Sequence, residues 1–146
     1  MKTHQSSLYK KLLKIWMIVL VSLHSSLVSA KSLEDYQKLY DVCVDEVIAE
    51  NSLQSINNGV VEACSNHVSD VTKKEITRLY KLFYDKLNVE SPVDALKFET
   101  AQKSWLAYRN AHCELMGSYV GSPMYGYCPM NMNMARAVEL QELLGE

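Results

Sequence analysis

Four cysteines, Cys43, Cys64, Cys113 and Cys128, constrain this chain more than any other feature. All of them follow an N-terminal stretch that reads as a secretory leader. Lys2, Lys10, Lys11 and Lys14 give it a positive start without an acidic residue. IWMIVLVSL (15–23) is an apolar run, and Val28-Ser29-Ala30 is a small-residue cleavage site. The run is shorter than the roughly 20 apolar residues a membrane-spanning helix needs. The expectation is therefore a signal peptide over 1–30 and a mature domain over 31–146, with no stable membrane anchor after cleavage. In an oxidising compartment, an even cysteine count in a small domain reads as two disulfides. Zinc is the rival reading, but the spacings C-x20-C and C-x14-C contain no C-x2-C knuckle, and no metal is expected.

The rest of the chain carries helical periodicity. Leu33, Tyr36, Gln37, Leu39, Tyr40, Cys43, Val44, Val47 and Ile48 recur at three and four spacing, with Ser32 and Asp35 placed to cap the stripe. Asn57-Asn58-Gly59 is a turn signal, and helix resumes near Val60. Ser69 and Asp70 suit either a fresh cap or an uninterrupted helix. Val71, Ile76, Leu79, Tyr80, Phe83 and Leu87 form the next stripe, which Asn88 and Ser91-Pro92 stop. Ser91 then caps a helix with Pro92 in its first turn and Asp94 near its positive end. That helix is expected to run to about Met116. Phe98, Ala101, Trp105, Tyr108, His112 and Leu115 make one row, and Gln102, Leu106, Arg109, Cys113 and Met116 make the adjacent one. GSYVGSPMYGYCPMNMN (117–133) is rich in Gly, Pro, Tyr and Met and reads as a long loop before a short helix over about 134–144. No strand is expected. The predicted fold is all-α: a small antiparallel helical bundle with one long C-terminal loop, stapled by two disulfides.

Charge narrows the partners. Four of the fifteen basic residues and none of the seventeen acidic ones precede residue 31, leaving eleven against seventeen, or −6, in the mature part. Phosphate contacts need Lys and Arg, so nucleic acid is not expected. A basic protein is a complementary partner. The stretch AQKSWLAYRNAHC (101–113) holds the densest chemistry, yet no catalytic residue emerges from it. Sequence neighbours such as His112 and Cys113 point about 100° apart on a helix. The chain has no G-x-S-x-G, H-E-x-x-H or phosphate loop, and no carboxylate in a distinctive context. No cofactor is expected. Trp105 and Tyr108 read as buried bulk. Arg109 is expected to meet a carboxylate from another helix.

The pattern Ala101-Gln102-x-x-Trp105-x-x-Tyr108-Arg109-x-x-x-Cys113 resembles the signature of the lysozyme inhibitor LprI-like family. Cys43 and Cys64 resemble its two early cysteines, and Tyr80 the tyrosine of its LN-x-x-Y helix. Cys128, Arg136 and Leu140 resemble its closing C…R-x-x-x-L. Two departures stand out: Ile76-Thr77 replaces the usual Leu-Asn pair, and no Thr precedes Arg136 near Met132-Asn133-Met134. The resemblance spans 36–144. It implies a small periplasmic or secreted helical protein, not an enzyme, that binds and blocks a lysozyme. Gln102, Trp105, Tyr108, Arg109, Tyr80 and Arg136 would be its structural motif. A cell-envelope scaffold or a toxin-neutralising, immunity-type protein with another partner is the alternative, and a carboxylate-dependent hydrolase comes last.

Among the three possible cysteine pairings, the short-loop solution Cys43–Cys64 and Cys113–Cys128 is preferred, because a turn at 51–59 lets two helical segments lie antiparallel. The second bond would pin the 117–133 loop as a contact surface, with Tyr119, Met124, Tyr125, Tyr127 and Met130 as its anchors. In the competing arrangement these side chains fold back to roof the bundle.

Overall fold

Ser32 opens the first helix as its sequence predicts. Its hydroxyl accepts the Asp35 N–H at 3.2 Å, and the Asp35 carboxylate accepts the Ser32 N–H at 2.8 Å. The Ser32 N–H and then its hydroxyl, which also donates to the carboxylate at 2.8 Å, hold the Asp35 carboxyl below its ordinary pKa. In the computed structural model, which describes residues 30–145, helix α1 runs Leu33–Glu50. The signal peptide expected over 1–30 lies, apart from Ala30, outside the described residues.

Asn57 starts the second helix by accepting the Val60 N–H at 3.1 Å, and α2 then runs Asn58–Glu90. It passes through Ser69-Asp70 without a break, so neither residue is a cap. Ser91 closes α2 by donating its N–H to Leu87 at 2.7 Å and opens α3, Pro92–Val120, through its carbonyl. Its hydroxyl bonds to the Asp94 carboxylate at 2.8 Å instead of to the backbone, and Pro92 sits where its missing N–H costs nothing.

The long loop expected over 117–133 is not there. Helix α3 continues to Val120, Gly121 turns the chain at φ +128°, and α4 runs Pro123–Leu144. Pro123 occupies the first turn, where it removes no helical bond. Pro129 lies inside α4 and does remove one. Burial outweighs that loss. Gly126, Cys128, Met130, Asn133, Met134, Arg136, Ala137, Leu140 and Gln141 are all buried, and Gly126 brings the helix against Ser65 and Glu62 of α2. Most helical stability comes from such packing rather than from propensity.

Both disulfides form as the short-loop solution predicts, with Cα–Cα separations of 5.6 Å for Cys43–Cys64 and 5.5 Å for Cys113–Cys128. The first ties α1 to α2, the second α3 to α4. Ser65 meets Gly126 and Ser69 meets Asn133, so α2 and α4 run parallel and share the largest interface. Helices α1 and α3 lie antiparallel to this pair and do not touch each other. The core is built from Tyr36 and Tyr40 of α1, Cys64, Val68, Ile76 and Leu79 of α2, and Met130, Met134 and Leu140 of α4. From α3, Phe98 joins it, with Tyr80 at 5.2 Å and Phe83 at 4.9 Å between ring centroids. No strand occurs among the described residues.

Candidate functional site

The face of α3 that turns inward takes Phe98 and Trp105 from one row and Gln102, Arg109 and Cys113 from the polar one. Gln102, Cys113 and Gly117 are buried, Trp105 is half-buried, and Tyr108 is 60% exposed, stacked on His112 instead of packed in the core. The expectation of buried bulk therefore holds in part for Trp105, which packs against the core, and is corrected for Tyr108: α3 is rotated so that Tyr108 points to solvent. Four of the motif residues do come together. Arg136 is buried and donates through Nε and Nη2 to the Gln102 Oε1 at 3.0 and 2.7 Å. Its Nη1 reaches Glu139 at 2.7 Å. Arg109 donates to Asn133 Oδ1 at 2.8 Å, and Asn133 donates to Ser69 Oγ at 2.8 Å. Both guanidinium carbons lie over the Trp105 ring, at 5.2 Å for Arg109 and 5.6 Å for Arg136, within cation–π range. The network therefore joins α2, α3 and α4 through directional bonds, where α3 offers few apolar ones.

Among the described residues Arg109 meets no carboxylate. Its bonds go to amide oxygens, those of Asn133 and of its neighbour Asn110, and burial lowers its pKa from the ordinary value. It lines a cleft of about 480 Å³ between α2 and α3, together with Lys73, Ile76, Tyr80, Trp105 and Leu106. Tyr80, a motif residue without a bond into the network, forms part of that wall and stacks on Tyr84 at 5.8 Å.

The second feature is the end of the bundle where α1 and α3 finish and α2 and α4 begin. Asn58 Nδ2 donates to Ser122 Oγ at 3.3 Å, joining the start of α2 to the α3–α4 junction. Tyr119 is 86% exposed, and Tyr125, Leu115, Val120 and Ile56 are exposed as well. Tyr125 lies over Gly117, where a methyl group would overlap its ring. The other proposed anchors turn inward. Met130 is fully buried, Met124 is half-buried, and Tyr127 packs edge-on against Tyr40 at 5.7 Å. The anchors thus divide between the tip and the roof. No Lys or Arg occurs between Lys38 and Lys73, or between Arg109 and Arg136. Asp41, Asp45, Glu46, Glu50, Glu62 and Glu114 are exposed in the same half of the bundle, and none is in an ion pair among the described residues.

Sequence reasoning missed Ser69 and Asn133. Asn133 had one available signal: it lies one helical turn before Arg136, on the same face. Leu115, Val120 and Ile56 carried no signal separating them from core residues. Among the described residues, no cluster of His, Cys, Asp and Glu could hold a metal ion, and no helix is long and apolar enough to cross a membrane.

Against known families, residues 49–140 match the family described as lysozyme inhibitor LprI, well over half of the chain. The matched span holds the whole Gln102–Trp105–Arg109–Asn133–Arg136 network and three of the four cysteines, leaving Cys43 outside. No curated protein and no solved structure matches.

Proposed function

Because this chain belongs to the lysozyme inhibitor LprI family, we propose that it is an exported protein that binds and blocks a lysozyme or a related basic peptidoglycan hydrolase, with no turnover of its own. One observation carries the geometric side of this reading: an aromatic tip sits at the end of the bundle built from 39–72 and 110–135, stretches that have carboxylates and no Lys or Arg. The carboxylates supply a directed attractive field toward a basic partner, which raises the association rate. The tip supplies what such a field cannot, an uncharged surface that releases water. Residues 115–135 contain no charged side chain, so burying them desolvates no ion. Tyr119 and Tyr125 are of the type that carries interface energy. The Cys113–Cys128 bond limits the ordering cost on binding. Two disulfides fit an oxidising, extracytoplasmic location.

The test is lysis of a peptidoglycan suspension by several hydrolases in the presence of the purified, exported protein. We expect inhibition that weakens with salt. Y119A/Y125A should raise the inhibitory concentration at least about tenfold, roughly 1.4 kcal/mol, with an unchanged melting temperature. Absence of inhibition at micromolar excess against every hydrolase type overturns the function. An unchanged inhibitory concentration in the double variant overturns the surface.

A further inference from the structure

We propose that the cleft between α2 and α3 is a binding site for a small amphipathic anion, a carboxylate or phosphate monoester carried on an apolar body. Its volume of about 480 Å³ falls in the size range of small-molecule sites, about 300–1,000 Å³. Its chemistry is polarised along its length. The bonds Arg109–Asn133–Ser69 and the stacked pair Tyr80–Phe98 fix the antiparallel register of α2 against α3. In that register Arg109 and, one turn away, Lys73 share one end. Glu99 and Lys103 occupy the other end, where their 2.6 Å ion pair neutralises both. Between the ends lie Ile76, Trp105, Leu106 and Tyr80, an apolar strip that water covers poorly.

The cationic end lacks a matching anion. The bonds of Arg109 to Asn110 and Asn133 use one N–H each on Nε, Nη1 and Nη2, leaving two of the five donors of a guanidinium for another acceptor. Among the described residues Lys73 has only an exposed contact with Asp70 at 3.4 Å, of the kind that contributes little. Three cations and one carboxylate line the cleft of a chain that is acidic over its mature length. The positive surplus therefore runs against the overall balance and is local to the cleft. Burial penalises the Arg109 charge, and a bound anion would offset that penalty with a charge-assisted, bidentate pair. The apolar body of the ligand would lie along Ile76 and Leu106 toward Tyr80.

Trp105 reports on the cleft directly. The only other tryptophan is Trp16, so in the full chain carrying W16F all tryptophan emission comes from Trp105. Decanoate and decyl phosphate are titrated below their micelle-forming concentrations, with decyltrimethylammonium as the chain-matched cation. A saturable emission change with at least one of the anions is expected, and which one responds identifies the head group. R109Q should weaken it about tenfold or more, the scale of a hydrogen bond to a charged group. R109Q also cuts the link to Asn133 and can disturb folding. T77F therefore provides the second variant: it fills the cleft from an exposed position outside the network and should abolish the response with an unchanged melting curve. An equal response to decyltrimethylammonium overturns the site. So does an unsaturable response, or a T77F chain that titrates like its parent.

Discussion

Asn133 is the residue on which the attachment of α3 to the α2–α4 pair can be measured. It is fully buried, accepts from the Arg109 guanidinium at 2.8 Å and donates to the Ser69 hydroxyl at 2.8 Å. Replacing it by Leu keeps the branched outline of the side chain and removes both bonds. A hydrogen bond to a charged group contributes about 1.5–3 kcal/mol and a neutral one about 1 kcal/mol. Arg109 is only half-buried and can turn toward water, so the lower half of the sum applies, about 3 kcal/mol. A domain near this size loses roughly 4 °C of melting temperature per kcal/mol, which puts the expected drop for N133L at about 12 °C. Urea denaturation followed by circular dichroism gives the free energy, with N131L as the control. Asn131 lies on the same helix, is half-buried and makes no side-chain bond among the described residues, so N131L should stay within about 0.5 kcal/mol of the parent. The decisive measurement is the double-mutant cycle with R109M. If the guanidinium–amide bond is the source of the loss, N133L costs about 1.5 kcal/mol less once the cation is gone. A strictly additive cycle, or an N133L loss below about 1 kcal/mol, refutes the network as the device that holds α3.

Two further outcomes follow from the same structure. Removing Cys113–Cys128 as C113A/C128A should cost about 3 kcal/mol in the chain-entropy picture and raise amide exchange across 115–130; C43A/C64A should cost a similar amount and leave exchange at the tip unchanged, and equal exchange in both variants would refute the pinning role. Tyr36 is buried with no hydrogen-bond partner for its hydroxyl among the described residues, and burial, followed by Glu75, pushes its pKa up to about 12. Y36F should therefore raise stability by about 1 kcal/mol. A folded pKa above the unfolded value of about 10 gives a contribution that is complete below pH 10 and lost as pH rises toward 12. The parent should lose stability over that window and the Phe variant less; a destabilised Y36F or an identical alkaline slope would contradict this.

The features legible in the sequence were those fixed within one or two turns of chain. The Ser32–Asp35 capping box and the Ser91-Pro92 stop depend on neighbours three residues apart, and both appear; the turn read at Asn57-Asn58-Gly59 is the start of α2, with Asn57 as its cap. The disulfide pairing followed because short loops between antiparallel helices leave little choice. What failed depended on distant contacts. Residues 117–133 have poor helix formers, and only the packing of Gly126, Cys128, Met130 and Asn133 onto α2 makes them helical. Ser69 suits a cap or a continuous helix equally in the sequence, and the structure takes the second, with the Ser69 hydroxyl accepting from Asn133. The two rows of α3 each contain aromatic or apolar side chains, so periodicity cannot choose between them. The Cys113–Cys128 bond and the Gln102–Arg136 pair fix the rotation, and that choice sends Tyr108, Leu115 and Tyr119 to the surface.

Charge placement links the two proposed sites. A chain that used acidity only for solubility would mix the signs over its surface. Here the described cations fall within 31–38, 73–109 and position 136, while 39–72 and 110–135 hold none. The guanidiniums of Arg109 and Arg136 hold the network, and a network built on cations cannot reach into the tip without cancelling its field. Its amide acceptors, Gln102 and Asn133, meet the same condition in reverse: together with Glu139, which pairs with Arg136 outside the acidic end, they bind the arginines without drawing carboxylates away from the tip. Arg109 is thereby left with spare donors at the cleft, and the exposed carboxylates are left unpaired around Tyr119 and Tyr125. The cationic cleft and the acidic tip are two consequences of neutral amides pairing with the arginines.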